Sequence, residues 1–291
     1  GLVGSEMCIR DSDMLTSLVL ITRQVTADRE QYLHVRDTLE RLLDLEVVPL
    51  INENDTVSVD QLRFGDNDTL AALVACLVKA QLCVIFSDIE GLFTANPFED
   101  ATATLIPEVS SITPDIMALA SGSSSTVGSG GMITKIRAAR VLMAAGIDMV
   151  ICQGHNSDFL IQLAEGQSLG TRFSPCGTVH DITPKKLWIA LGDTAKGSLI
   201  VDEGAAEALV SRGSSLLAVG VCGVEGSFAR EDIVDIVNTS GRIIARGKAG
   251  ASSSEITLAC GRSQREIKGN ELLRDLSQRP VVHRDELVVF E

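Results

Sequence analysis

The sequence predicts an α/β protein: an open, mostly parallel sheet sandwiched by helices, followed by a small β-barrel-like domain. Three observations lead there. Apolar runs alternate with helical periodicity through the first 182 residues, the pattern of βαβ units whose strands are buried on both faces. Aromatic residues make up 3% of the chain against 45% hydrophobic residues, so the core must be built from Ala, Val, Leu and Ile. Beyond Pro184 the apolar runs become short and closely spaced, separated by Gly, Ser, Asn and Asp, as in a small β unit.

Residues 1–13 follow neither period and lack the basic, apolar and small-residue regions of a secretory signal. They are left unassigned, as a leader that need not be native. Strands are predicted at 15–21, 47–51, 82–86 and 147–152. Helices are predicted at 28–45, 69–80, 115–119, 133–145 and 159–164. In the second part, the apolar runs 187–191, 197–201, 216–221, 233–237, 243–246 and 281–289 read as short strands interrupted by a single helix at 203–212.

The 291-residue length favours two domains, and charge divides the chain in the same place. Residues 1–182 carry 11 Lys and Arg against 24 Asp and Glu, a net of −13, whereas 183–291 carry 14 against 15, a net of −1. An acidic first part argues against a nucleic-acid surface there, because phosphate binding needs clustered cations. Its only two lysines are Lys79 and Lys135. No apolar run is long enough to span a bilayer, which points to a soluble protein with no membrane partner. The seven cysteines are scattered, odd in number and without a C-x-x-C pair, the usage of reduced thiols in a cytoplasm. The four histidines lack metal-ligand spacing, so a zinc site is not expected, and no side chain is assigned to a metal.

The chemistry gathers where strands end. The run at 47–50 is followed by Ile51-Asn52-Glu53-Asn54-Asp55, and Gly65-Asp66-Asn67-Asp68 immediately precedes the next helix. Turn and cap chemistry alone explains one such cluster. Two, each at a strand-to-helix junction, favour a ligand crevice beyond the carboxyl ends of the strands. Ser87-Asp88 occupies the same position after the strand at 82–86. Residues 121–131 hold nine Ser or Gly in eleven positions and run into a helix with Lys135 in its first turn. Glycine-rich backbone opening a helix offers amides and a positive dipole end to an anion. The spacing is not that of a Walker A loop, and a solvated Ser/Gly linker is an equally good reading of this stretch by itself.

Taken together, Pro49 to Asp55 (PLINEND), Gly65 to Asp68 (GDND), Ser87-Asp88 before Gly91-Leu92-Phe93, and Gly130 to Lys135 (GGMITK) resemble glutamate 5-kinase of the amino-acid kinase superfamily. The stretches VDEGAAEAL and RGSSLLAVGV are similar to the PUA domain that follows the kinase in bacterial members. The resemblance implies an amino-acid kinase fold over 14–182 and a PUA domain over 183–291. It implies ATP-dependent phosphorylation of the γ-carboxylate of L-glutamate, the first step of proline biosynthesis, with Mg²⁺. Carried over by motif, Asp55 and Asn67 would bind glutamate, and Asp68 would orient the catalytic lysines. Ser87, Asp88, Ser129, Gly130, Gly131, Met132, Ile133 and Thr134 would hold ATP, and Lys135 would neutralise the transferred phosphoryl group. A cytoplasmic homo-oligomer inhibited by proline is the matching expectation.

Some features depart from the family. Phe93 stands where Tyr is usual and Asn96 where Asp is usual. The family's first strand, with a catalytic lysine and a Gly-Thr-Ser turn, has no counterpart here, so the chain is read as N-terminally truncated and expected to be inactive by itself. RNA binding by the second domain is a weaker expectation, since Arg242, Arg246 and Lys248 are balanced by acids. The rivals are a catalytically silent PUA-containing RNA-binding or interaction protein, and a superfamily kinase for another acidic substrate.

Overall fold

A computed structural model of the chain describes residues 14–22, 25, 28–54, 66–122, 131–155, 158–175, 183–191 and 195–290. β1 (Thr16–Ile21) and β2 (Val48–Glu53) pair in parallel from Thr16↔Val48 to Ile21↔Glu53. Between them runs α1 (Arg29–Asp44), as a parallel pair requires. Asp28 starts that helix, its carboxylate accepting from the amides of Glu30 and Gln31 at 2.8 and 3.1 Å. Its apolar stripe buries Leu39 completely.

α2 (Asn67–Leu77) leads into β3 (Leu82–Ser87). After β4 (Glu108–Val109) and α3 (Pro114–Gly122), α4 (Met132–Ala144) leads into β5 (Asp148–Gln153), and α5 (Asp158–Ala164) precedes β6 (Thr171–Phe173). These strands form a four-stranded sheet in the order β3-β5-β6-β4. β3 and β5 are parallel from Leu82↔Asp148 to Ser87↔Gln153, whereas β6 runs antiparallel to β5. Gly170, immediately before β6, has φ +64°, and a Cβ there would lie 2.0 Å from the Ile151 carbonyl oxygen, a place only glycine fits. The core under this sheet is aliphatic, around Ile136, Ala139, Leu142, Met149 and Ile151, with Phe173 the one large aromatic in it.

The stretch 187–191, expected as a strand, is the end of a helix, α6 (Pro184–Leu191). Proline at the first helical position is pre-set for helix, and the Thr183 carbonyl accepts from the Leu187 amide at 2.9 Å. An apolar run of five residues looks alike in a buried strand and a buried helix. α6 packs between two layers: Leu187, Ile189 and Ala190 share a core with Leu39 of α1, Leu70, Leu73 and Leu77 of α2 and Val141 of α4, and also with Ile233 and Val288 of the C-terminal sheet.

That sheet has five strands in the order β11-β10-β9-β7-β8. They are β7 (Gly197–Val201), β8 (Val221–Gly226), β9 (Ile233–Val237), β10 (Ile243–Lys248) and β11 (Leu287–Val289). α7 (Glu203–Arg212) follows β7 as expected, capped by Asp202 and closed by Gly213 at φ +58°. The expectation of a single helix in this part is corrected: α8 (Ser253–Ala259), α9 (Gln264–Gly269) and α10 (Arg274–Gln278) lie between β10 and β11. The first two begin with full capping boxes, Ser252 with Glu255 and Ser263 with Glu266. Among the described residues, no helix is long and apolar enough to cross a membrane.

Candidate active site

Two helix starts build the site. Asp66 caps α2, its Oδ1 accepting from the Thr69 amide at 2.7 Å, which turns Asn67 and Asp68 into the helix's first turn. Gly131 opens α4 with no side-chain cap, so the first-turn amides are not taken up by one. Among the described residues, a Cβ on Gly131 would meet nothing within 4 Å.

The two starts meet through Asp68. Its Oδ2 lies 2.7 Å from the Thr134 hydroxyl and 3.1 Å from Lys135 Nζ, and its Oδ1 lies 3.4 Å from the same nitrogen. The Thr134 hydroxyl is also 2.7 Å from the Gly131 carbonyl oxygen, so its proton can serve either acceptor while tying α4's first turn together. Asp68 and Lys135 are 7% and 8% exposed. A buried ion pair of this kind is costly to desolvate and is a poor stabiliser compared with an apolar pair. It does hold an ammonium at a fixed place beside a helix N-terminus, where a polyanion can use it.

Asp66 belongs to the same polar group, although its side chain was not among the residues expected to act. Burial is the main cause that holds its carboxyl above the ordinary value, and the neighbouring Asp68 adds to this against the Thr69 hydrogen bonds and Lys135. The signal was present in the sequence, since Asp66 stands in the Gly65-Asp66-Asn67-Asp68 string, but it reads there as a cap.

Ser87 and Asp88 end β3, the serine hydroxyl donating to Asp88 Oδ1 at 3.0 Å. The parallel register sets Ser87 against Gln153 at the end of β5, and the Gly154 amide donates to the Ser87 carbonyl at 2.8 Å. Thus two strand ends form one ledge, and two helix starts form the ion-paired cluster. Met132 is buried at the opening of α4, with Ile133 beside it. Asp55, Ser129 and Gly130 lie outside the described residues, as does Gly65.

Cys76 and Cys83 are not chemical candidates. Burial pushes the Cys76 thiol up to about 12 and the Cys83 thiol up to about 11, far from the thiolate form that reacts.

Comparison with known proteins places the chain in two families. The profile of the amino acid kinase family matches residues 2–153, and that of the PUA domain matches residues 197–269. A glutamate 5-kinase of Myxococcus xanthus is 47% identical over 272 residues, covering 94% of this chain and 71% of that protein. One from Moorella thermoacetica is 44% identical and covers 98% of this chain and 74% of that protein. One from Nitrosospira multiformis aligns over 291 residues at 41% identity, covering 77% of that protein. Among solved structures, an isopentenyl phosphate kinase superposes with a TM-score of 0.41 at 16% identity, over 60% of this chain and 66% of that one.

Proposed function

Since this chain belongs to the glutamate 5-kinase family of the amino acid kinases, we propose that its Asp68–Lys135 cluster serves the transfer of the ATP γ-phosphoryl group to the γ-carboxylate of L-glutamate. The product is L-glutamyl 5-phosphate, which places the chain at the first step of proline biosynthesis. In the reaction a γ-carboxylate oxygen attacks the γ-phosphorus, the bond to the β–γ bridging oxygen breaks, and ADP leaves with that electron pair. Little covalent chemistry is asked of the protein; it must position the two anions and neutralise their charge.

The observation that carries this reading is the contact of Asp68 with both Thr134 and Lys135. Lys135 is assigned the developing charge on the transferred group. Asp68 holds that ammonium in place rather than meeting the phosphate itself, and Thr134 ties Asp68 to the helix end. The Gly131, Met132 and Ile133 amides at the start of α4 donate to phosphate oxygens together with Ser129 and Gly130, while the Thr134 amide, already bonded to the Gly131 carbonyl at 3.1 Å, leaves Thr134 to border the nucleotide with its side chain. Ser87 and Asp88 border the nucleotide on the strand ledge. Asn67, next to Asp68 at the start of α2, binds glutamate with Asp55.

Mg²⁺ is expected to come with the nucleotide. Among the described residues no three His, Cys, Asp or Glu side chains form a metal-sized group, and Asp68 is already paired. The site therefore suits an ion carried by phosphate oxygens and water, the usual way Mg²⁺ enters kinase sites. When bound, it would neutralise part of the phosphate charge. We extend the proposal to a cytoplasmic homo-oligomer inhibited by proline, with the kinase unit over 14–182 and the PUA domain over 183–291.

The test is ADP release with ATP and Mg²⁺, compared across L-glutamate, L-aspartate and acetylglutamate. It is run on this chain and on the longest natural protein that contains it. Turnover with glutamate, at least tenfold above the other two in kcat/KM, is expected in the longer protein. Equal rates with all three, or ADP release without any acceptor, would remove the substrate assignment.

A further inference from the structure

α4 carries two polar devices on different sides. Lys135 faces Asp68 of α2. Five residues later stands Arg140, about 7.5 Å further along the helix axis and about 140° around it, from a 1.5 Å rise and 3.6 residues per turn. It is 6% exposed, yet it is a charged group in a helix interior and no part of the phosphoryl-transfer cluster uses it.

Arg140 meets the C-terminal domain. Its guanidinium carbon lies 5.4 Å from the centroid of the Phe290 ring, a cation–π distance. Phe290 is fixed in turn by its amide, which donates to the Ile244 carbonyl of β10 at 2.9 Å. Nearby, Arg246 of β10 grips Asp235 of β9 through Nε at 2.7 Å and Nη2 at 3.2 Å, and its Nη1 donates to the Ala190 carbonyl of α6 at 3.3 Å. Burial is the main influence on Arg140, lowering its pKa to about 10, with Asp235 acting in the opposite sense. It stays charged at neutral pH.

A methionine of similar length would fill this place without desolvating a cation. What the arginine adds is direction: a planar cation placed over one ring, with the Arg246-bound carboxylate of Asp235 nearby to offset the like charges of Arg246 and Arg137, favours one rotation of its helix over others. Val141, the next residue, lies in the core shared by α2, α6 and the C-terminal sheet, so both helices of the site rest on the same support.

We propose that Arg140 is a positioning residue, through which the C-terminal domain sets where Thr134 and Lys135 stand relative to Asp68. This rests on the phosphoryl-transfer reading of that cluster. Arg140 touches no reacting group, and its effect should fall on turnover rather than on substrate binding, because small misplacements at a reacting centre can cost on the order of 100-fold.

The experiment compares Arg140→Met, Arg140→Lys and Phe290→Leu with the unaltered protein, in the longest natural chain. Steady-state kinetics are combined with hydrogen exchange of peptides covering 131–137. Arg140→Met should lower kcat roughly tenfold or more with KM for ATP and glutamate within about twofold, and should speed exchange at 131–137. Arg140→Lys should restore part of both effects, and Phe290→Leu should give a smaller change of the same kind. Unchanged exchange at 131–137 together with kcat within twofold would overturn the proposal, as would a loss confined to KM. If Arg140→Met does not fold, the other two variants decide. If the unaltered protein lacks glutamate-dependent turnover, the functional reading fails separately and the exchange at 131–137 alone judges the role of Arg140.

Discussion

Replacing Asp68 by asparagine keeps the shape of the side chain and removes its charge. The consequence can be estimated from its surroundings. Asp68 accepts from Lys135 and Thr134 at 3.1 and 2.7 Å, and its side chain and that of Lys135 are both 10% exposed. Removing one member of a buried ion pair strands the other and costs about 3–5 kcal/mol. The asparagine carbonyl can still accept one hydrogen bond, which puts the expectation at the lower end, near ~3 kcal/mol. For a folding unit of this size each kcal/mol moves Tm by about 2–4 °C, so a fall of roughly 6–12 °C is expected. The double variant Asp68→Asn/Lys135→Met should regain part of that loss, because the stranded ammonium is gone; a coupling of ~1–3 kcal/mol is expected. Calorimetry and urea denaturation of the two single variants and the double variant measure all of this. A loss under ~0.5 kcal/mol in Asp68→Asn, or strictly additive effects, would show that the pair is not a buried interaction and that Asp68 does not hold Lys135.

Lys135→Ala should lower kcat by about 100-fold or more while glutamate binding changes far less, since its charge matters most during transfer; turnover within twofold of the unaltered enzyme would refute that role. Asp66→Asn keeps a good helix cap and removes a carboxyl whose folded-state pKa is raised above 3.8, chiefly by burial. A raised carboxyl stabilises the fold below its unfolded pKa and loses that contribution as pH rises through the folded value. Urea denaturation should therefore show the Asn variant gaining on the unaltered chain as pH climbs from 3.8 upward through that window, and a flat difference would contradict this. Gly170→Ala forces a Cβ to within 2.0 Å of the Ile151 carbonyl oxygen at a positive φ, and should lower Tm measurably, whereas Gly166→Ala, with positive φ but open space around it, should cost less.

The first part of the fold was legible because its signals are long. β1, β2, β3 and β5 each contain a run of at least four apolar residues or Pro, and α1, α2 and α4 fall on sustained helical periodicity. β4 and β6, of two and three residues, are too short to carry any period. α6 was misread because a five-residue apolar run has no period to distinguish strand from helix, although Pro184 after Thr183 marks a helix start. α8 and α9 are too short to show a helical period, yet each opens with the Ser-x-x-Glu signature of a capping box at Ser252 and Ser263. The polar clusters announced a site at the strand ends, but the pairing of Asp68 with Lys135, 67 positions apart, is tertiary, and only the family resemblance joined the two. Arg140 is invisible in the sequence: within a helical pattern a lone arginine reads as a solvated face, and the Phe290 ring it faces lies 150 residues away.

Glutamyl 5-phosphate is a mixed anhydride, and hydroxylamine converts an acyl phosphate to a stable hydroxamate. The most direct measurement is therefore glutamate-dependent hydroxamate formed alongside ADP when the longest natural protein containing these residues is incubated with ATP, Mg²⁺, L-glutamate and hydroxylamine. The account predicts hydroxamate in step with ADP, abolished by omitting glutamate and lowered about 100-fold or more by Lys135→Ala. ADP released without hydroxamate, or hydroxamate undiminished in Lys135→Ala, would contradict it.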